Sequence, residues 1–336
     1  MHTRDEEAVF VEASGRLHFG VLDLRGERGR WFGGIGTSVA KPTVLVSAGR
    51  ADKLVARGED AERAREFASL FLAHHKLRGG ATVHVHRALP RHVGLGSGTQ
   101  LALAVARALA ELYGVESDAR SLATAVGRAK RSAIGTWTFD DGGLVIEGGR
   151  RANSDDPGPL IARMPIPSTW RCVVAIPEGP PGISGAGEAE AFARLPAPPE
   201  RDVERVAHIV LMSLLPSLAD ADLAGFGRAL SEVQEITGHW FAPVQGGTFA
   251  PGASADLVRR LAEWGASGVG QSSWGPAVYG IVEGDEAMCR LADRVVEAMG
   301  SSATVFAGPF RTDGAHVWRA PDGEVKGQMA KVKGWA

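Results

Sequence analysis

The run Leu89-Pro90-Arg91-His92-Val93-Gly94-Leu95-Gly96-Ser97-Gly98-Thr99-Gln100 joins a strand-like segment directly to a helical one, and its glycines make it the most informative stretch of the chain. Upstream, Thr82-Val83-His84-Val85-His86 alternates apolar and polar residues as a half-buried strand does, while Leu101, Val105, Leu109 and Leu112 recur at helical spacing downstream. Between them, Gly94, Gly96 and Gly98 let the backbone approach a ligand closely, and the free N–H groups of a helix's first turn point at whatever sits there. Phosphate is the natural occupant. Glycines also serve ordinary turns, so the loop by itself leaves both readings open. It is not a Walker A loop, because no Gly-Lys-Ser/Thr follows. Nor is it a dinucleotide fingerprint, because Thr99 stands where the third glycine belongs.

A chain of 336 residues suggests two domains rather than one. Its net charge of −2 shows no basic excess, which argues against nucleic acid as a partner. Two cysteines, Cys172 and Cys289, cannot build a disulfide framework, and the start Met1-His2-Thr3-Arg4-Asp5-Glu6-Glu7 carries no apolar signal region. Cytoplasm is therefore the expected location. No run approaches the ~20 apolar residues of a membrane span, so no membrane association is expected.

The polar, Gly/Pro-rich stretch 148–159 separates two apolar regions and divides the chain into expected domains 1–152 and 153–336. In the first, Val9–Ala13 and Thr43–Val46 read as strands and Asp60–His75 as a helix, ahead of the strand, loop and helix above. In the second, Trp170–Ile176 reads as a buried strand and Val203–Thr237 as one helical tract, with Leu223, Phe226, Leu230 and Val233 on one face. Strand Ala277–Val282, helix Asp285–Met299 and strand Thr304–Phe306 then form a βαβ unit that ends an α+β domain. The Val203–Leu215 helix offers either an internal packing face or the contact of a homodimer.

The glycine loop resembles the Pro-x3-Gly-Leu-Gly-Ser-Ser loop of the GHMP kinase superfamily, departing from it at Gly98 and Thr99. That resemblance implies an α+β, GHMP kinase-like fold of two domains: a ribosomal S5 domain 2-like amino-terminal domain and a ferredoxin-like carboxy-terminal one. It also implies phosphate binding by Gly94, Gly96, Ser97, Gly98, Thr99 and Gln100. Gly268-Val269-Gly270-Gln271-Ser272-Ser273-Trp274-Gly275-Pro276 resembles the superfamily's glycine-rich carboxy-terminal motif, which places Gly270, Ser272 and Ser273 on the other wall of an interdomain cleft. Ser14–Asp23 resembles the first motif, which lines the acceptor substrate. There Arg16 and His18 alternate along a strand-like run and would face one side, toward substrate or toward solvent.

Mevalonate kinase-like members carry Ser-x-x-Asp followed by Gly-Gly, and the aspartate is catalytic. In Arg131-Ser132-Ala133-Ile134-Gly135 followed by Gly142-Gly143, the aspartate position is Gly135. A glycine cannot orient or deprotonate a hydroxyl, so phosphoryl transfer lacks its positioning group and other chemistry is expected. Asp140 and Asp141, just before the glycine pair, are candidate carboxylates, though acidic residues there are also ordinary turn composition.

One branch fits: nearly the whole chain resembles the β-ribofuranosylaminobenzene 5′-phosphate synthases of methanopterin biosynthesis. The Gly-x-Gly-Gln-Ser-Ser-Trp-Gly-Pro and Ser-x-Ile-Gly runs are the more specific parts. The family implies joining phosphoribosyl pyrophosphate to 4-aminobenzoate or 4-hydroxybenzoate, with loss of carbon dioxide and pyrophosphate. Such chemistry needs groups that hold pyrophosphate, a cation for the benzoate carboxylate and exclusion of water, but no kinase aspartate. On this expectation Ser97 and Thr99 hold a phosphate, Arg16, His18, Arg131 and Ser132 serve the aromatic acid, Asp140 is a catalytic carboxylate, and Asp141 binds an assisting Mg²⁺. Two alternatives stand beside it: an ATP-dependent small-molecule kinase, opposed by Gly135, and a non-catalytic phosphate-binding protein. His84 and His86 lack a third metal ligand nearby in sequence, and His74-His75 at a helix end suits the dipole. Trp240 and Phe241 read as pocket or core.

Overall fold

The computed structural model describes residues 7–154, 156–183 and 185–321. The expectations about residues 1–6, and the end of the second expected domain, lie outside the described residues.

β1 (Glu7–Asp23) and β2 (Arg30–Ala51) form a long antiparallel hairpin. After β3 (Val55–Gly58) and α1 (Ala61–His74), β4 (Gly80–Arg87) pairs antiparallel with β2 and parallel with β3. Then come α2 (Ser97–Tyr113), α3 (Ala119–Ala125) and α4 (Ile134–Asp141). β5 (Leu144–Glu147) and the short β6 (Arg150–Arg151) add to β2, and β7 (Leu160–Met164) adds to β5. One face of this sheet, with Val9, Val11, Ala13, Val44 and Val46, buries against Phe67 and Phe71 of α1 and the Leu101, Val105 and Leu109 stripe of α2. At about 2 kcal/mol for each large apolar side chain, this layer is what fixes α2 and leaves its first turn free to serve a ligand.

The second sheet runs β11–β8–β10–β9, every neighbour antiparallel, from β8 (Trp170–Pro177), β9 (Gly268–Gln271), β10 (Val278–Glu283) and β11 (Ala303–Pro309). Between β8 and β9 lie α5 (Gly185–Arg194), α6 (Glu200–Ile209), α7 (Leu215–Ala219), α8 (Leu223–Gln245) and α9 (Ala253–Glu263). With α10 (Gly284–Met299) between β10 and β11, the unit is the ferredoxin-like βαββαβ arrangement that the resemblance implied. The near-continuous apolar run of β8 follows from burial on both faces: Cys172 and Val174 join the core with β1 and α8, Val173 and Ala175 the core with α9 and α10.

Two expectations change. Val203–Thr237 is not one helix: after α6 the chain makes a π-helical turn, Val210–Leu214, and a break at Ala221 with φ 56 precedes α8, which Asp222 caps by accepting from Gly225 N–H at 2.9 Å. Val206, Ile209, Val210 and Leu214 face the core, so one face of the helix packs internally, while Leu211 and Met212 are large apolar side chains that project outward with its polar face. The sheets also disregard a division at 152/153. β7 extends the first sheet past that point, and β12 (His316–Pro321) returns to pair with β1, because strand hydrogen bonding, not chain order, decides membership. No helix among the described residues is long and apolar enough to cross a membrane.

Candidate active site

Where the two sheets meet, a cleft of about 480 Å³ opens between the glycine loops, within the range of small-molecule sites. β1 reaches it because register shifts between Ser14 and Arg16 and between His18 and Gly20 bend the strand, and Arg16, His18 and Gly20 share the cleft-facing side. The two loops touch. Ser272 Oγ donates to the Gly94 carbonyl at 2.7 Å and accepts from the His18 N–H at 2.9 Å, while the Arg16 guanidinium donates to the same carbonyl. α2 then starts after Gly96, at φ 73, without a side-chain cap. Thr99 and Gln100 N–H fold back on the Gly96 carbonyl, and the N–H groups of Ser97 and Gly98 remain as donors toward the cleft.

Cations converge on that helix start. A Cβ at Gly98 would lie 2.6 Å from one Arg63 nitrogen and 2.8 Å from one of Arg128, and Arg128 donates to Thr99 Oγ1 at 3.3 Å. Lys130 and Arg131 line the same cleft. Burial lowers the Arg16 pKa to about 10, with Glu188 pulling it back up and Arg128 adding to the fall; Arg128 is lowered by burial first and Arg63 second. At about 10, Arg16 keeps its charge at neutral pH, and with the guanidinium groups of Arg63 and Arg128 at the helix start it makes the pocket an anion site.

Beneath Arg16, two buried groups titrate in opposite directions. Burial, and then the Arg16 charge, lower the His18 pKa from 6.5 to about 3, so its imidazole is neutral. Burial raises Glu147 from 4.5 to about 7 against the N–H groups of Gly149 and Ala133, which its carboxylate accepts at 2.8 and 3.4 Å. Both stand over Gly34, whose Cβ would lie 3.2 Å from His18 Nε2 and 3.5 Å from Glu147 Oε1. Between pH 4.5 and 6.5 the folded chain holds the Glu147 proton that the unfolded chain has lost, and lacks the His18 proton that the unfolded chain binds. The two contributions to the pH slope of stability therefore oppose each other. In His18→Asn, stability is expected to fall as pH rises from 4.5 to about 7; in Glu147→Gln it is expected to rise up to 6.5. Thermal melts of both variants across this range check the signs, and parallel slopes would refute the opposed contributions.

The opposite wall is aromatic. Phe192 of α5 meets Phe32 edge-on at 5.2 Å and Trp274 at 5.6 Å between ring centres, and Phe241 of α8 meets Trp274 at 4.8 Å. α8 can lie close over β9 because glycines face each other there: a Cβ at Gly227 would fall 1.8 Å from the Ser267 carbonyl, and one at Gly270 2.4 Å from Gln234 Oε1.

Of the residues singled out by sequence, Arg16, His18, Gly94, Gly96, Ser97, Gly98, Thr99, Arg131, Ser132 and Ser273 line the cleft. Gln100, Gly270 and Ser272 do not. Gln100 is buried and donates to the Gly135 carbonyl at 2.9 Å, Gly270 admits α8, and Ser272 staples the loops. Asp140 and Asp141 are corrections. They end α4, one 3.9 Å from Arg107 and the other with its carbonyl taken by Arg163, outside the cleft. Eight helix-direction residues from Ser132 span on the order of 10 Å, which carries them away from it. No group of three or more His, Cys, Asp or Glu among the described residues is arranged to hold a metal. Gly135 lies under the first turn of α2, where a Cβ would press on Thr99 Cγ2 at 3.1 Å. Sequence reasoning missed Arg63, Arg128, Lys130, Glu188 and most of the aromatic wall; of the two residues read as pocket or core, Phe241 lines the cleft and Trp240 is core. Signals existed for the cations: Arg128-Ala129-Lys130-Arg131 is a basic run in a near-neutral chain, and Arg63 sits in the first turn of a helix, where a cation is unfavourable.

A family model described as the GHMP kinases N terminal domain matches residues 62–146. Two curated relatives carry the name beta-ribofuranosylphenol 5'-phosphate synthase. That of Methanothermobacter thermautotrophicus is 34% identical over 89% of this chain and 96% of its own, and that of Archaeoglobus fulgidus 37% identical over 80% and 86%. Among solved structures, a homoserine kinase from Cytophaga hutchinsonii superposes with a TM-score of 0.69 at 16% identity, covering 95% of this chain and 99% of the other. The Methanococcus jannaschii mevalonate kinase gives 0.63 at 12%, covering 90% and 98%.

Proposed function

The chain belongs to the beta-ribofuranosylphenol 5'-phosphate synthase family, built on the GHMP kinase fold, and from that membership we propose that it transfers a phosphoribosyl group to 4-hydroxybenzoate. The product in the relatives' name is a phenol, which 4-hydroxybenzoate yields on decarboxylation and 4-aminobenzoate does not. The reaction breaks the bond from the ribose anomeric carbon to pyrophosphate, whose oxygen keeps the electron pair. The ring carbon bearing the carboxylate bonds to that anomeric carbon, carbon dioxide departs, and its electron pair restores the aromatic ring.

The observation that carries this reading is one cleft with a cationic end and an aromatic end, and with glycine at the position of the kinase carboxylate. The first turn of α2, with Arg63 and Arg128, suits the leaving diphosphate, whose growing negative charge these fixed donors stabilise. The ring wall suits a flat acceptor, which packs edge-on or offset against such rings. Arg16, at the junction of the two ends, is placed for the acceptor carboxylate, and neutral His18 beside it adds no charge that would hold that carboxylate back. Mg²⁺ fits only as an ion carried with the diphosphate, completed by oxygens such as Ser97 and Ser132, since the described residues build no acidic cage. Bound there, it would weaken the bond to the leaving group.

The test mixes the protein with Mg²⁺, phosphoribosyl pyrophosphate and carboxyl-labelled 4-hydroxybenzoate, without ATP. Equal release of labelled carbon dioxide and pyrophosphate is expected, with slower release from 4-aminobenzoate. No release from either acid, with ATP consumed in the presence of a small alcohol, would return the chain to the kinases.

A further inference from the structure

We infer that Glu188 is an internal counter-anion that holds the cationic end of the cleft until an incoming polyanion displaces it. The inference rests on the phosphoribosyl-transfer reading and adds a residue that the diphosphate must displace to bind.

Glu188, on α5, is the single carboxylate among the described residues that line the cleft, against Arg16, Arg63, Arg128, Lys130 and Arg131. Its Oε2 accepts from Arg131 Nη2 at 2.6 Å, and both side chains are more buried than exposed. Its charge is also felt farther in, where it favours the protonated forms of Arg16 and Arg128. The other nearby acid, Asp60, is committed to Arg63 at 2.8 Å from behind the loop. The chain thus brings its own anion to the place where a substrate anion belongs.

An incoming monocarboxylate that displaces Glu188 exchanges one negative charge for another, with no Coulombic gain and with loss of its own hydration. A diphosphate brings several charges and leaves the cluster better neutralised than before. Glu188 therefore sets a threshold that a diphosphate clears and that 4-hydroxybenzoate, a monoanion, does not, which leaves the acid to the aromatic end. Phe192 lies four residues further along α5, on the same helix face, so the helix that carries the counter-anion also carries part of the ring wall.

The test is calorimetric titration of inorganic pyrophosphate into the unmodified protein and into Glu188→Gln, without divalent cations, followed by competition with 4-hydroxybenzoate. Pyrophosphate is expected to bind about fivefold tighter to the variant, in line with one partly buried ion pair. Because both anions meet the same counter-anion, the excess of 4-hydroxybenzoate needed to displace it is expected to be no smaller for the variant. Unchanged or weaker pyrophosphate binding overturns the inference. So does weaker binding seen only when Mg²⁺ is added, which would assign Glu188 to the cation. Glu188→Ala, titrated in the same way, repeats the measurement without the amide. Turnover is not read, so a protein that binds as expected but transfers no phosphoribosyl group overturns the proposed reaction and leaves Glu188 in its role.

Discussion

Replacing Arg16 by Ala is expected to lower kcat/KM for phosphoribosyl transfer by about 100- to 1,000-fold, while the melting temperature changes little. The side chain is half-buried, reaches the Gly94 carbonyl and lies across Gly96, whose Cβ would fall 2.9 Å from Arg16 Cγ. It thus stands where the two glycine loops and the two ends of the cleft meet. Losing it leaves the Gly94 carbonyl paired with Ser272 Oγ, so no buried acceptor is orphaned, and the desolvation cost of a buried cation is removed. The catalytic loss is large because a guanidinium held by the fold needs no reorganisation as charge moves from the acceptor carboxylate toward pyrophosphate. Steady-state kinetics with 4-hydroxybenzoate separate the cases: a rise in KM alone makes Arg16 a ground-state anchor, whereas a fall in kcat shows interaction with the transition state. Full activity in the variant would remove Arg16 from both roles.

Gly94→Ala is expected to be the most destabilising single change in the loops, on the order of 3 kcal/mol from backbone strain and overpacking together. Gly94 has φ 90, and a Cβ there would sit 2.1 Å from the Ser272 carbonyl oxygen and 3.5 Å from that of Gly275. Both obstacles are backbone, so one loop must leave the other and the contact between the halves of the molecule opens. Roughly 5 to 10 °C of melting temperature corresponds to such a loss in a chain of this size. Gly98→Ala is the control. Its Cβ meets only the guanidinium ends of Arg63 and Arg128, which can swing aside, so the fold should survive while pyrophosphate binding weakens. Equal melting temperatures for the two variants would contradict this account.

What was legible in the sequence was what is local. The alternation before Leu89 and the 3.6-residue stripe after Gln100 are written within one segment each, and β4, the glycine loop and α2 follow them. The βαβ end of the chain is legible for the same reason. The break in Val203–Thr237 was not, because its apolar periodicity continues through a turn that Ala221 makes by leaving the right-handed region. The site was half legible. Arg16 and His18 came from a motif on one strand and Phe241 was read as pocket or core, but Phe32, Phe192, Phe241 and Trp274 belong to separate parts of the chain, so the wall they form exists only in three dimensions. Asp140 and Asp141 misled because closeness to Ser132 in sequence is not closeness in space when a helix intervenes.

β12 pairs with β1 over Glu7 to Glu12, joining residues from opposite ends of the described chain. During synthesis, the first half therefore waits with that flank of β1 bare, its N–H and C=O groups without partners until His316–Pro321 has been made. Contacts this distant in sequence form late and slowly. An amino-terminal half released early would present the unpaired edge through which strands join the wrong neighbour. The closing strand thus ties completion of the first sheet to synthesis of the chain as far as Pro321.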